Sequence, residues 1–132
     1  MAVASSLCSS QQTTKSWGYH LLLDCKSCDK ERITNPETLK EFVKVLIETI
    51  DMKAYGEPIL KHFAEHNPEV AGYSLLQFIE TSSITGHFCD RSGDCYIDIF
   101  SCKSFDTEKA KSCVSSFLLP ENVKMIFLQR EA

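Results

Sequence analysis

The sequence predicts an α+β domain: a two-layer sandwich of a mainly antiparallel sheet with two helices packed on one of its faces. Three observations predict it. Strand-like and helix-like segments follow the mixed order β-α-β-β-β-β-α-β. Several neighbouring strands are joined by short loops. Both helical segments carry one apolar stripe, so each needs cover on one side only.

Residues 1–15 are rich in Ser, Thr and Gln and read as a flexible leader ahead of a single domain over 16–132. Gly18 to Asp24 reads as a strand whose leucine run, Leu21 to Leu23, suits cover on both faces or a half-buried interface. Cys25 to Asp29 follows as a polar loop. Asn35 can cap a helix and Pro36 fits its first position. Leu39, Phe42, Val43, Leu46, Ile47 and Ile50 then recur at helical spacing, while Lys40, Glu41, Lys44 and Glu48 fall toward water. Ile59 to Phe63 is a short extended piece between Gly-Glu-Pro and His-Asn-Pro punctuation. Tyr73 to Ile79 and Ile84 to Phe88 read as neighbouring strands, and 90–94 as a turn cluster. Cys95 to Cys102 is the clearest strand: Cys95, Ile97, Ile99 and Ser101 alternate with Tyr96, Asp98, Phe100 and Cys102. Asp106 can cap a second helix with Ala110, Cys113, Val114, Phe117 and Leu118 as its buried stripe. Pro120 stops it, and Val123 to Leu128 is a last strand.

The chain has 132 residues, 43% apolar and 24% charged, which suits one soluble globular domain with a real core. A net charge of −4 speaks against a nucleic-acid partner but is compatible with a cationic small substrate. No apolar run approaches the roughly 18 residues that span a bilayer. The N-terminus lacks the basic start and apolar core of an export signal, so the expected compartment is the cytosol. Seven cysteines, an odd number, are then expected to be thiols rather than disulfides.

Four features could carry chemistry. Glu80-Thr-Ser-Ser-Ile-Thr-Gly-His87 gathers hydroxyls with a histidine at short range, and a hydroxyl needs a base to become a nucleophile. The same run also reads as a Ser/Thr-rich hairpin with a surface histidine. Cys102 ends the strongest strand on the face of Asp98 and reads either as a tuned thiol or as a small apolar residue. Cys25-x-x-Cys28 invites zinc or redox use, but Cys89 and Cys95 make a poor second pair, and the helix starts too far downstream for a thioredoxin-like motif. His20, His62 and His66 read as structural or exposed, so no metal is expected. No phosphate-binding glycine loop is present.

Three pieces together resemble the small prokaryotic form of S-adenosylmethionine decarboxylase. They are Gly18-Tyr-His-Leu-Leu-Leu-Asp24 with the following Cys25-Lys-Ser-Cys28-Asp29, the run Ser82 to His87, and Tyr96-Ile-Asp-Ile-Phe-Ser-Cys102. The match of order and spacing extends over most of residues 17–130. The resemblance implies a self-processing enzyme whose pyruvoyl cofactor is made from a serine of its own chain and forms a Schiff base with the substrate amine. It implies decarboxylation of S-adenosylmethionine for polyamine (spermidine) synthesis. It also implies a homodimer of cleaved protomers with active sites near the interface.

Carried onto this sequence, Ser82 becomes the pyruvoyl precursor and His87, five residues on, the processing histidine. Cleavage between Thr81 and Ser82 would give chains 1–81 and 82–132, and Cys102 would donate the proton to the substrate carbon. Phe63 falls where the family stacks its substrate, and Trp17 and Phe88 are further candidates for the adenine and sulfonium groups. The sequence departs from the family in two places. Glu80 stands two residues before Ser82 rather than one, which keeps Ser83 as runner-up, and Phe88-Cys89-Asp90 replaces the usual Trp-Pro-Glu. A pyruvoyl decarboxylase of ornithine or arginine, a non-processing regulatory homologue and a small zinc module are the competing readings.

Overall fold

A computed structural model describes residues 16–132. The leader expected over 1–15 lies outside them. The elements run β1 (Gly18–Lys26), α1 (Lys30–Ile33), α2 (Pro36–Thr49), β2 (Ile59–Phe63), β3 (Gly72–Ile79), β4 (Ser82–Phe88), β5 (Cys95–Ser101), α3 (Thr107–Leu118) and β6 (Asn122–Arg130). The six strands form one sheet in the order β2-β3-β4-β5-β1-β6. Every pairing is antiparallel. The α+β architecture is as the sequence predicts, with one added element. The single turn α1 lies in a stretch to which the sequence assigns no element, because four residues carry no period. Asp29 caps it by accepting from Arg32 N, and Ile33 anchors it in the core.

The long helices start where their caps say. Asn35 accepts from the backbone of Glu37 and Thr38 with Pro36 in the first turn, and Asp106 accepts from Lys109 N. α3 ends on Leu119 in the left-handed region, one residue before Pro120.

One face of the sheet is the core. Leu21, Leu23, Leu75, Ile84, Ile97 and Ile99 pack there against Leu39, Phe42, Leu46, Val114 and Leu118 of the helices. The leucine run splits as the pleat requires: Leu21 and Leu23 are fully buried, while Leu22 is half-buried on the opposite face. Cys25 and Cys95 are register partners under this core, and Cys28 is buried beside them rather than in a polar loop. The other face is uncovered and carries Phe78, Tyr96, Ile126 and Leu128, all exposed. No described helix is long and apolar enough to cross a membrane.

Candidate active site

Glu80 and Thr81 form the two-residue link between β3 and β4, whose ends pair as Ile79 with Ser82. Ser82 in turn pairs with Ser101 of β5, so the corner lies directly beside the end of that strand. Three consecutive residues there reach the corner. The backbone N–H of Cys102 donates to the carbonyl oxygen of Thr81 at 3.0 Å. The hydroxyl of Ser101, fully buried, donates to Thr81 Oγ1 at 2.8 Å and accepts from the backbone N–H of Lys103 at 3.0 Å. Met52 Sδ lies within reach of both hydroxyls, 3.3 Å from Thr81 Oγ1 and 3.7 Å from Ser101 Oγ. The carbonyl of the Thr81–Ser82 bond is thus polarised by a fixed donor, and the thiol of Cys102 is exposed next to it. Phe100 and Phe78 flank the corner as the register partners of Ser83. Trp17, 62% exposed, stacks on Phe100 with ring centroids 6.2 Å apart, and Arg130 lies over the same ring at 5.4 Å.

The other end of β4 holds a second group. His87 is exposed on the open face, with Nδ1 3.0 Å from Ser74 Oγ in a hydrogen bond whose donor follows the ring tautomer. Phe63, Ser74, His87, Cys89, Asp94 and Tyr96 line a cleft of about 450 Å³ there. A hydrogen bond from Ser92 pulls the Cys89 thiol below its ordinary range.

The structure therefore brings together Ser82, Thr81, Cys102 and Trp17 at one corner and Phe63 with His87 at another. It does not bring Ser82 to His87. Five residues of one strand separate them by about 16 Å and put them on opposite faces. Phe88 borders the cleft but is 2% exposed, its ring edge-on to Phe42 on the core side. Its expected substrate contact gives way to core packing, because its strand parity matches Ile84. Asp90 is engaged by His62, with Nε2 to Oδ2 at 2.6 Å. Ser101, Ser74 and Phe100 are the residues that sequence reasoning passed over. No local pattern marks a serine whose partner lies 20 residues away in the chain.

The Cys25-x-x-Cys28 pair is embedded in the core. The Cys28 hydrogen bond and then burial drive the Cys25 thiol far up. For Cys28, its contact with Cys25 lowers the pKa, but its contact with Cys95 and burial outweigh this and push it up to about 12. Among the described residues, no three His, Cys, Asp or Glu side chains converge as metal ligands.

The sequence model of S-adenosylmethionine decarboxylase matches residues 19–131. The chain belongs to the S-adenosylmethionine decarboxylase family. It is similar to the S-adenosylmethionine decarboxylase proenzyme of Clostridium botulinum strain Langeland, with 31% identity over 109 residues, covering 82% of this chain and 89% of the relative. The Loch Maree strain's proenzyme is 36% identical over 93 residues, 70% of this chain and 75% of that one. The crystal structure of the adenosylmethionine decarboxylase from Aquifex aeolicus VF5 superposes with a TM-score of 0.75 at 18% identity. It covers 90% of this chain and 94% of that one, a likeness of fold. The family's sheet-and-helix sandwich is the one found here, and the β3–β4 corner lies inside the matched segment.

Proposed function

We propose that this chain is an S-adenosylmethionine decarboxylase that cleaves itself between Thr81 and Ser82 and draws its pyruvoyl cofactor from Ser82. Family membership supports this substrate over ornithine or arginine. The observation that carries the processing reading is the Cys102 N–H on the Thr81 carbonyl at 3.0 Å. A donor on that oxygen is what an attack by the neighbouring hydroxyl needs. Ser82 Oγ bonds to the Thr81 carbonyl carbon, its proton moves to the departing nitrogen, and the C–N bond breaks to leave an ester. Loss of the Ser82 Cα proton then expels the Thr81 carboxylate and leaves a dehydroalanine. Water converts it to the pyruvoyl end with release of ammonia.

The hydroxyl of Thr81 is committed to Met52, which supports Ser82 over Thr81 as the nucleophile. For Ser83 the scissile carbonyl would instead be that of Ser82, and the masses of the cut chains separate the two. A pyruvoyl group supplies a carbonyl that condenses with the substrate amine and takes up the electron pair left as carbon dioxide departs. The exposed Cys102 thiol is the proton donor to the substrate carbon. Trp17 and Phe63 offer aromatic faces to a sulfonium and an adenine.

The uncovered face of the sheet argues for a homodimer. With the two uncovered sheets face to face, a two-fold axis running across the strands packs the open face of one copy, His87 included, against that of the other. Such packing also covers Phe78, Tyr96, Ile126 and Leu128. We read the working compartment as the cytosol, where the six described cysteines would stay thiols.

The deciding measurement is the intact mass of the purified protein under denaturing, reducing conditions. Two chains, 1–81 and 82–132, the second blocked at its N-terminus, are expected. A boundary one residue later moves the site to Ser83. A single 132-residue mass that persists on incubation overturns the pyruvoyl mechanism.

A further inference from the structure

We infer that Ser101 and the side chain of Thr81 are positioning residues for self-cleavage, an assignment that rests on the Ser82 reading above. Their contacts form one connected cluster. A backbone N–H can only donate, so Lys103 N–H fixes Ser101 Oγ as its acceptor at 3.0 Å. Ser101 Oγ stands 2.8 Å from Thr81 Oγ1, and Thr81 Oγ1 stands 3.3 Å from Met52 Sδ. Ser101 Oγ also lies 3.7 Å from Met52 Sδ, so Ser101, Thr81 and Met52 close into one small cluster around the corner. Ser101 is 0% exposed, so water does not replace a missing link.

This cluster acts on the peptide bond that breaks. Thr81 is gripped at its hydroxyl by Ser101 and at its carbonyl by the next residue, Cys102, at 3.0 Å. Two contacts from adjacent residues of a rigid strand end fix both the side-chain rotamer of Thr81 and the plane of the Thr81–Ser82 bond. Attack by Ser82 Oγ requires that plane to be held while charge develops on the carbonyl oxygen. Without the Ser101 link, the half-exposed Thr81 is tied to the strand end by its carbonyl alone. The carbonyl then spends less time in reach of both the nucleophile and its donor.

The test follows cleavage in time on freshly synthesised full-length chain by intact mass, for wild type, Ser101→Ala, Thr81→Val, the double variant and Ser101→Thr. Loss of one such hydrogen bond is expected to slow cleavage roughly tenfold in each single variant. The double variant is expected to be no slower than the slower single, because both remove the same link. Ser101→Thr restores the hydroxyl and is expected to restore the rate, which a purely structural role for the buried serine would not require. Thr81 is half-exposed, so Thr81→Val reads out even where Ser101→Ala fails to fold. Wild-type rates in Thr81→Val, or slowing that multiplies in the double variant, would overturn the assignment while leaving the Ser82 reading intact. A wild-type chain that stays whole overturns both.

Discussion

Cys102 presents two different groups to the corner, a backbone N–H on the Thr81 carbonyl and an exposed thiol. They belong to different steps and come apart by substitution. Cys102→Ala keeps the N–H, so the chain is expected to cleave itself while carbon dioxide release falls on the order of 10²-fold, the lower range for a lost general acid. Intact mass and a release assay on one sample check both halves. Ser82→Ala is expected to leave one uncut chain, whereas Ser83→Ala cuts at Thr81. His62 is the other residue whose chemistry is legible. Its pKa is raised above the ordinary value of 6.5, first by its hydrogen bond to Asp90, against a smaller burial effect, and with help from Glu65. A raised folded pKa means that the pair stabilises fully below about pH 6.5 and loses that contribution as pH rises through the raised value. The melting-temperature gap between wild type and Asp90→Asn is therefore expected to narrow from pH 6 to 8. A gap independent of pH would show that the ionic part of the contact contributes nothing.

At the scale of elements, the two helices hold the sheet from one side and their caps set where they begin. Asn35→Ala removes the acceptor for two backbone N–H groups and is expected to cost about 1 kcal/mol in urea unfolding. The β2–β3–β4 region tolerates less. A Cβ on Gly72 would stand 1.7 Å from the Phe88 carbonyl oxygen, backbone that cannot step aside. That close approach lets the β3 strand and the 88–90 segment meet, with Asp90 N donating to the Ala71 carbonyl at 2.9 Å. Strand parity decides the rest. Phe88 shares the core face with Ile84, and His87 alternates onto the open face, so one residue of offset separates a packing aromatic from a candidate base.

For the whole molecule, the unequal faces of the sheet are the main fact. One is sealed by α2 and α3; the other leaves Phe78, Tyr96, Ile126 and Leu128 exposed across five strands' width. An apolar face of this kind marks an interaction surface. Sedimentation is expected to give a dimer at micromolar concentration. Leu128→Glu is expected to shift it toward monomer, because a charge on this face opposes its burial. A wild type that sediments as a monomer at that concentration would sink the dimer.

The sequence by itself determined the element order apart from the short α1, the caps of both long helices and the strand parities, because caps and periodicities are properties of a few adjacent residues. The pairing of Ser82 with Ser101 was absent from that reading, as were the double grip on Thr81 and the burial of Cys28. The aromatic candidates divide the same way. Trp17 and Phe63 remain exposed, whereas Phe88 went to the core through a register that no single strand reveals. Five residues along the chain suggested a Ser82–His87 pair; an extended strand turned that closeness in sequence into distance in space. Only the tertiary structure decided these points, because register and long-range hydrogen bonds depend on which strands lie side by side.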